Sequence, residues 1–282
     1  MRRTGNKVEA MQHSRELDLM IRLAQEAGDI IREGFGTAMQ IEHKGPVDLV
    51  TEFDRRSEAL ILSALRRDYP GDGLLSEESG SNGIHGERTW IVDPLDGTTN
   101  FTHGIPIFAV TMALMDAGGL RTGIVYDPLR REMFWGERGV GAFLDDRPLH
   151  VSPVNDLRRS LLVTGFPYDI ATSRFNNLDH YGHFALRSQG VRRLGSAALD
   201  LAYLAAGRFE AYWDLQLSPW DVAAGALLIQ EAGGRVTNIH GGDDFLRRDL
   251  TLLATNGHLH PAMLEVLRLG AVPEGPSPSA SG

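Results

Sequence analysis

The sequence predicts a mixed α/β protein in two halves, α+β over residues 14–150 and α/β over 151–270. Three observations support this. A helix-period apolar pattern opens the chain. Short strand-like runs bounded by Gly, Pro or Asp fill its middle. After His150, strands alternate with helices.

The elements follow in order. Residues 1–13 are basic at the start and lack apolar periodicity, so a flexible arm is expected. Over 14–35, Leu17, Met20, Ala24, Ala27 and Ile31 recur at helical spacing, with Ser14 as N-cap and Gly34 and Gly36 as the stop. A second helix is expected over 55–68, ended by Tyr69-Pro70-Gly71. Strands follow at 90–93, 108–115, 120–127 and 131–137. Gly136 to Gly141 is glycine-rich without dinucleotide-loop spacing and reads as a tight hairpin. Beyond His150 come a strand at 160–164, helices at 173–188 and 197–206, and a strand at 209–214. A helix at 220–232, a strand at 252–255 and a helix at 260–269 complete the pattern. The Pro-rich tail 271–282 has a disordered composition.

Composition narrows the function. With 282 residues the chain can form one large domain or two small ones. The absence of cysteine excludes disulfides, thiolate nucleophiles and Cys-ligated metal sites. No apolar run is long enough to span a bilayer, and the N-terminus lacks a signal peptide's apolar core, which fits a cytoplasmic protein. The net charge of −9 argues against a general nucleic-acid binder. It also means that an acidic chain handling phosphate needs cations at its site.

The most informative run is Trp90-Ile91-Val92-Asp93-Pro94-Leu95-Asp96-Gly97-Thr98-Thr99-Asn100-Phe101. It reads as a buried strand stopping at Asp93, with Asp96 held on the same rigid turn. Two carboxylates so placed suit a hard cation such as Mg²⁺, Ca²⁺ or Mn²⁺. Gly97, Thr98 and Thr99 open a helix whose free N–H groups can take an anion. A cation site beside an anion cradle is what phosphoryl chemistry requires. Taken alone, Asp-Gly-Thr-Thr is equally a common turn.

The whole run resembles the signature of the inositol monophosphatase family, and further blocks resemble that family in its order. Lys44-Gly45-Pro46-Val47-Asp48-Leu49-Val50-Thr51 with Asp54 matches the first; here Asp48 is expected to orient a hydroxyl while Asp54 only caps a helix. Ser76-Glu77-Glu78 matches a block that usually begins with glycine, Gly195-Ser196-Ala197-Ala198 another, and Trp220-Asp221-Val222-Ala223-Ala224-Gly225 the last. Asp214 stands where inositol-hydrolysing members usually carry glutamate, a departure that bears on the polyol.

The resemblance implies a layered αβαβα sandwich of the sugar-phosphatase type, commonly a homodimer, and hydrolysis by a metal-bound water without a covalent nucleophile. One Mg²⁺ would be held by Glu77, Asp93 and the Leu95 carbonyl, and a second by Asp93, Asp96 and Asp221. A third, weaker ion near Glu77 occurs in some members. Thr98 and Asp48 would polarise the water, with Glu77 helping to position it. Gly97 and Thr98 would hold phosphate oxygens, with Lys44 adding positive charge. Asp96, Ser196, Ala197, Asp214 and Asp221 would meet the substrate. The shared metal core leaves fructose-1,6-bisphosphate, histidinol phosphate and adenosine bisphosphate as alternative substrates. A regulatory role beside the transcription machinery is a different class of reading, disfavoured because the expected ligands are all present.

Overall fold

The computed structural model describes residues 13–37, 41–43, 49–81, 87–246 and 251–269. The expected arm up to residue 12, Lys44, Asp48 and the tail from residue 271 lie outside the described residues. Seven α-helices are described: α1 (Arg15–Gly34), α2 (Glu52–Asp68), α3 (Thr98–Thr102), α4 (Leu178–Ala185), α5 (Ala197–Ala205), α6 (Pro219–Glu231) and α7 (His260–Leu267).

An eight-stranded sheet runs in the order Arg147–Pro148, Gly141–Leu144, Glu132–Glu137, Gly119–Asp127, Ala109–Asp116, Thr89–Asp96, Gly73–Ser76, Gly80–Ser81. A five-stranded sheet runs Gly190–Arg192, Leu161–Thr164, Ala211–Asp214, Leu252–Thr255, Arg235–Thr237. Its first three strands are parallel and its last two pair antiparallel, so it is mixed.

The layers are α, β, α, β, α. Helices α1 and α2 cover one face of the large sheet, and α5 and α6 lie between the two sheets. The outer face of the small sheet carries α4 and α7. Alternation along the strands supplies both faces. Trp90 and Val92 bury against the α1/α2 layer, while Ile91 buries toward α5 and α6. The layered sandwich expected from the sequence is therefore the fold observed.

Several boundaries differ. The strand expected at 90–93 does not stop at Asp93; Thr89–Asp96 continues through both aspartates with a register shift between them. Helix α2 starts at Glu52 because Thr51 and Asp54 form a capping box. The helix expected over 173–188 is only α4, since Asn177 takes a left-handed conformation as its N-cap. The edge strands Gly190–Arg192 and Arg235–Thr237 are three residues each, too short to show alternation. The hairpin at Gly136–Gly141 forms as expected between Glu132–Glu137 and Gly141–Leu144.

Candidate active site

The site lies where the end of the Thr89–Asp96 strand meets the N-terminal ends of α2, α3, α5 and α6. The register shift after Asp93 re-aims the two aspartates. Leu95 N–H donates to Asp93 Oδ1 at 3.0 Å, and Ser57 on α2 donates to the Pro94 carbonyl at 3.0 Å. Gly97 follows with φ 91°, and a side chain there would stand 3.0 Å from the Ile107 carbonyl, so only glycine fits this turn.

Asp54 does more than the helix capping expected of it. It does cap α2, accepting from Thr51 N–H at 2.8 Å and Thr51 Oγ1 at 2.5 Å with one oxygen. Its other oxygen accepts from Thr98 Oγ1 at 2.9 Å. Asp54 is therefore a carboxyl the structure places on Thr98, while Asp48 lies outside the described residues. The Thr-x-x-Asp spacing signalled a capping box, which is why one role hid the other. Burial raises the Asp54 pKa, opposed by hydrogen bonds from Thr51 and Thr98.

The other acids converge from distant segments. Asp96 Oδ2 accepts from Ser196 Oγ and, at 2.9 Å, from Ala198 N–H at the start of α5. Ser196 thus turns to Asp96, and its Oγ also caps α5. Asp221 reaches back to Ser218 N–H at 2.6 Å as the acid of a second capping box. Glu77 follows the Gly73–Ser76 strand, and its side chain hydrogen-bonds Asp93.

These carboxyls repel one another. Asp93 titrates well above its ordinary range, chiefly from burial and then from the charges of Glu77, Asp96 and Asp221. Asp221 is likewise raised by burial and by Asp96. Asp96 is pushed up to about 6 by burial, against the hydrogen bonds from Ser196 and Ala198. Glu77, Asp93, Leu95, Asp96, Gly97, Thr98 and Asp221 share one small cleft.

Its donor set is all oxygen, four carboxylates and a carbonyl, which fits a hard divalent cation and not zinc. Among the described residues no three acidic or imidazole side chains already array around one point. They pair instead with each other and with N–H groups of the chain.

A larger cavity of about 430 Å³ adjoins this cleft and shares Glu77, Asp96 and Asp221 with it. Ser196, Ala197 and Asp214, three of the positions expected to meet the substrate, line it. Asp214 is heavily engaged, however. Its Oδ1 accepts from Leu215 N–H at 2.6 Å and Gln216 N–H at 3.1 Å, and its Oδ2 accepts from Tyr212 OH at 3.0 Å. Gly165 permits this packing, since a side chain there would overlap Asp214 Oδ2. Tyr168, Arg193 and Asp200 also line the cavity and were not singled out by sequence. For Asp200 a signal existed: one acid inside an otherwise apolar helix, Ala197–Ala205.

The family model described as the inositol monophosphatase family matches residues 13–269. An inositol-1-monophosphatase of Mesorhizobium japonicum is 42% identical over 261 residues, 92% of this chain and 98% of that one. A Nus factor SuhB of Pseudomonas aeruginosa is 41% identical, covering 89% of this chain and 95% of its own. The crystal structure of extragenic suppressor protein suhB from Bartonella henselae matches with a TM-score of 0.85 at 39% identity, over 91% of this chain and all of that one.

Proposed function

The chain belongs to the inositol monophosphatase family, and from this premise we propose that it hydrolyses the phosphate monoester of a cyclic polyol, foremost myo-inositol monophosphate, with Mg²⁺ as cofactor. The observation that carries the reading is Thr98, backed by the buried Asp54, lining the same cleft as Glu77, Asp93, Asp96 and Asp221.

Glu77, Asp93, Asp96, Asp221 and the Leu95 carbonyl would hold the cation, which when bound supplies Lewis acidity and offsets phosphate charge. The chain's own groups do the rest. Thr98 has one hydroxyl proton and two acceptors, Asp54 Oδ1 at 2.9 Å and the Leu95 carbonyl at 3.0 Å. Either way that proton points back into the protein. The Thr98 oxygen is then free to accept a hydrogen bond from a water in the cleft and orient it for attack. The N–H groups of Gly97 and Thr98 would hold phosphate oxygens. The adjoining cavity would receive the polyol, with Ser196 fixing Asp96 at the boundary.

Phosphate release should be measured on inositol 1-phosphate, fructose 1,6-bisphosphate, histidinol phosphate and adenosine bisphosphate, with Mg²⁺ and with EDTA. Preference for inositol phosphate and reversible loss in EDTA are expected. Faster turnover of one of the other three esters would overturn the polyol assignment. The name of the Pseudomonas aeruginosa relative motivates an additional role beside the transcription machinery. Failure of the purified chain to be retained on transcription complexes would remove that role. We place the enzyme in the cytoplasm as a homodimer; a monomeric mass by light scattering would refute the assembly.

A further inference from the structure

Besides Asp96, two buried aspartates line the larger cavity, and of these the chain fully satisfies only one. Asp214 is 3% exposed and accepts from three protein donors. Asp200, on α5, is 2% exposed, and its Oδ1 is buried with no hydrogen-bond partner. A buried oxygen without a partner is costly and is uncommon in native structures. Helix α5 does not need this acid: Ser196 caps its N-terminus, and its neighbours are Ala198, Leu199, Leu201 and Ala202, all buried apolar residues.

We propose that Asp200 is a specificity-determining residue that takes a hydroxyl group of the polyol, the role that the short, protein-bound Asp214 does not fill. The cavity floor supports this. Asp200 faces the same space as Asp96 and Asp214, so a ring whose phosphate lies at the acidic cleft brings its hydroxyls toward it. A sugar-like hydroxyl both donates and accepts, and it would pair with the orphaned oxygen. Burial, with Asp96 and Asp214 nearby and opposed by Arg193, favours the neutral carboxyl, which can itself donate as well as accept. A hydroxyl-free ring would leave Asp200 unpaired, so the group rejects such esters as well as favouring polyols.

This inference rests on the phosphatase reading above, and the test separates the two. The ratio of kcat/KM for inositol 1-phosphate to that for phenyl phosphate should be measured for wild type, Asp200→Ala and Asp200→Asn. Phenyl phosphate presents a ring of similar size without hydroxyls. The ratio should fall about tenfold in Asp200→Ala, through KM on the inositol ester, and recover at least in part in Asp200→Asn, which keeps an acceptor oxygen. Thermal melts supply the second readout: Asp200→Ala should melt no lower than wild type, because an unsatisfied group has been removed. A wild-type ratio near one would refute the polyol reading itself, and this inference with it. A high wild-type ratio unchanged in Asp200→Ala would overturn the Asp200 assignment alone. So would a lowered melting temperature with the ratio intact, which is the mark of a structural acid.

Discussion

The two ends of the site are built from the same residue type in opposite ways. At the phosphate end, the chain grips one oxygen of each aspartate. Asp93 is held by Leu95, Asp96 by Ser196 and Ala198, Asp221 by Ser218 and Asp54 by Thr51. The grip fixes the carboxyl and leaves its opposite edge for Thr98, for Glu77 or for a cation. At the end proposed for the polyol, Asp214 is used up by the protein and Asp200 has one buried oxygen, Oδ1, without a partner. One end is preorganised for charge, as electrostatic catalysis needs. The other leaves a buried carboxyl oxygen of Asp200 without a partner, which is where we propose the substrate binds.

The largest expected effect tests the phosphate end. Asp93 faces Glu77, Asp96 and Asp221 together. Asp93→Asn should reduce phosphate release by more than about a thousandfold while the far-ultraviolet circular dichroism stays unchanged. EDTA on the wild type should match it and be reversed by Mg²⁺. Persistent turnover in a metal-free preparation would show that the acids serve another purpose.

Next comes the dyad. Thr98→Ala should lower kcat by about a hundredfold with little change in KM, because the lost interaction belongs to the transition state. Asp54→Asn should follow it in kcat and, by weakening the α2 cap, should also cost about 1 kcal/mol of stability in chemical denaturation. Asp48→Asn should do neither. A larger kcat loss at Asp48 than at Asp54 would restore the pairing the sequence alone had favoured.

That pairing shows what was legible. The metal-type acids stand in or beside contiguous blocks, Asp93 and Asp96 three residues apart, so their order along the chain exposed them. The strand and helix runs were legible because their periodicities differ and alternate after His150; the five layers came from the family resemblance. Asp54 was misread because one carboxyl performs two tasks with its two oxygens, and a sequence shows only the local one. Asp200 was passed over although it is the one acid in an otherwise apolar helix, and Tyr212 was missed because the larger cavity is assembled from segments far apart in the chain. There, which oxygen is satisfied depends on tertiary hydrogen bonds that no spacing encodes.

A third, smaller effect concerns pH and distinguishes charge that awaits a cation from charge the fold has satisfied. Unfolded aspartates titrate near 3.8, while Asp96 and Asp214 titrate at about 6 in the fold. Between those values the folded state keeps protons that the unfolded state has lost, so their contribution falls as pH rises and levels off above 6. His260 acts oppositely: burial lowers it from 6.5 to about 4, so its contribution grows as pH rises and is complete above 6.5. Asp93, Asp200 and Asp221, raised well above their ordinary range chiefly by burial, act in the same direction as Asp96 and Asp214 and extend the decline toward higher pH. Metal-free protein should therefore lose up to about 1.4 kcal/mol per pH unit for each proton still held. Denaturant midpoints from pH 6.5 to 8, with EDTA and with Mg²⁺, check this. Mg²⁺ should flatten the decline, and a metal-free midpoint that rises with pH would contradict the burial of these acids.

The smallest effect on activity is expected at Asp214, and it sharpens the contrast with Asp200. Removing Asp214 leaves Tyr212 OH and the N–H groups of Leu215 and Gln216 without their acceptor. Each buried donor so orphaned costs about 1–3 kcal/mol, part of which water entering the vacated space recovers. Asp214→Ala should therefore melt well below wild type. Its carboxyl has little capacity left for a ring hydroxyl, so kcat/KM should fall by no more than about threefold. That loss should be alike for inositol 1-phosphate and phenyl phosphate, since it reflects a loosened wall and not a lost contact. Asp200→Ala is expected to do the reverse, preserving the melting temperature and changing the ratio of the two esters. A loss at Asp214 confined to inositol 1-phosphate would mean that the ring displaces Tyr212 from Oδ2, and that the shorter acid still reads the polyol directly.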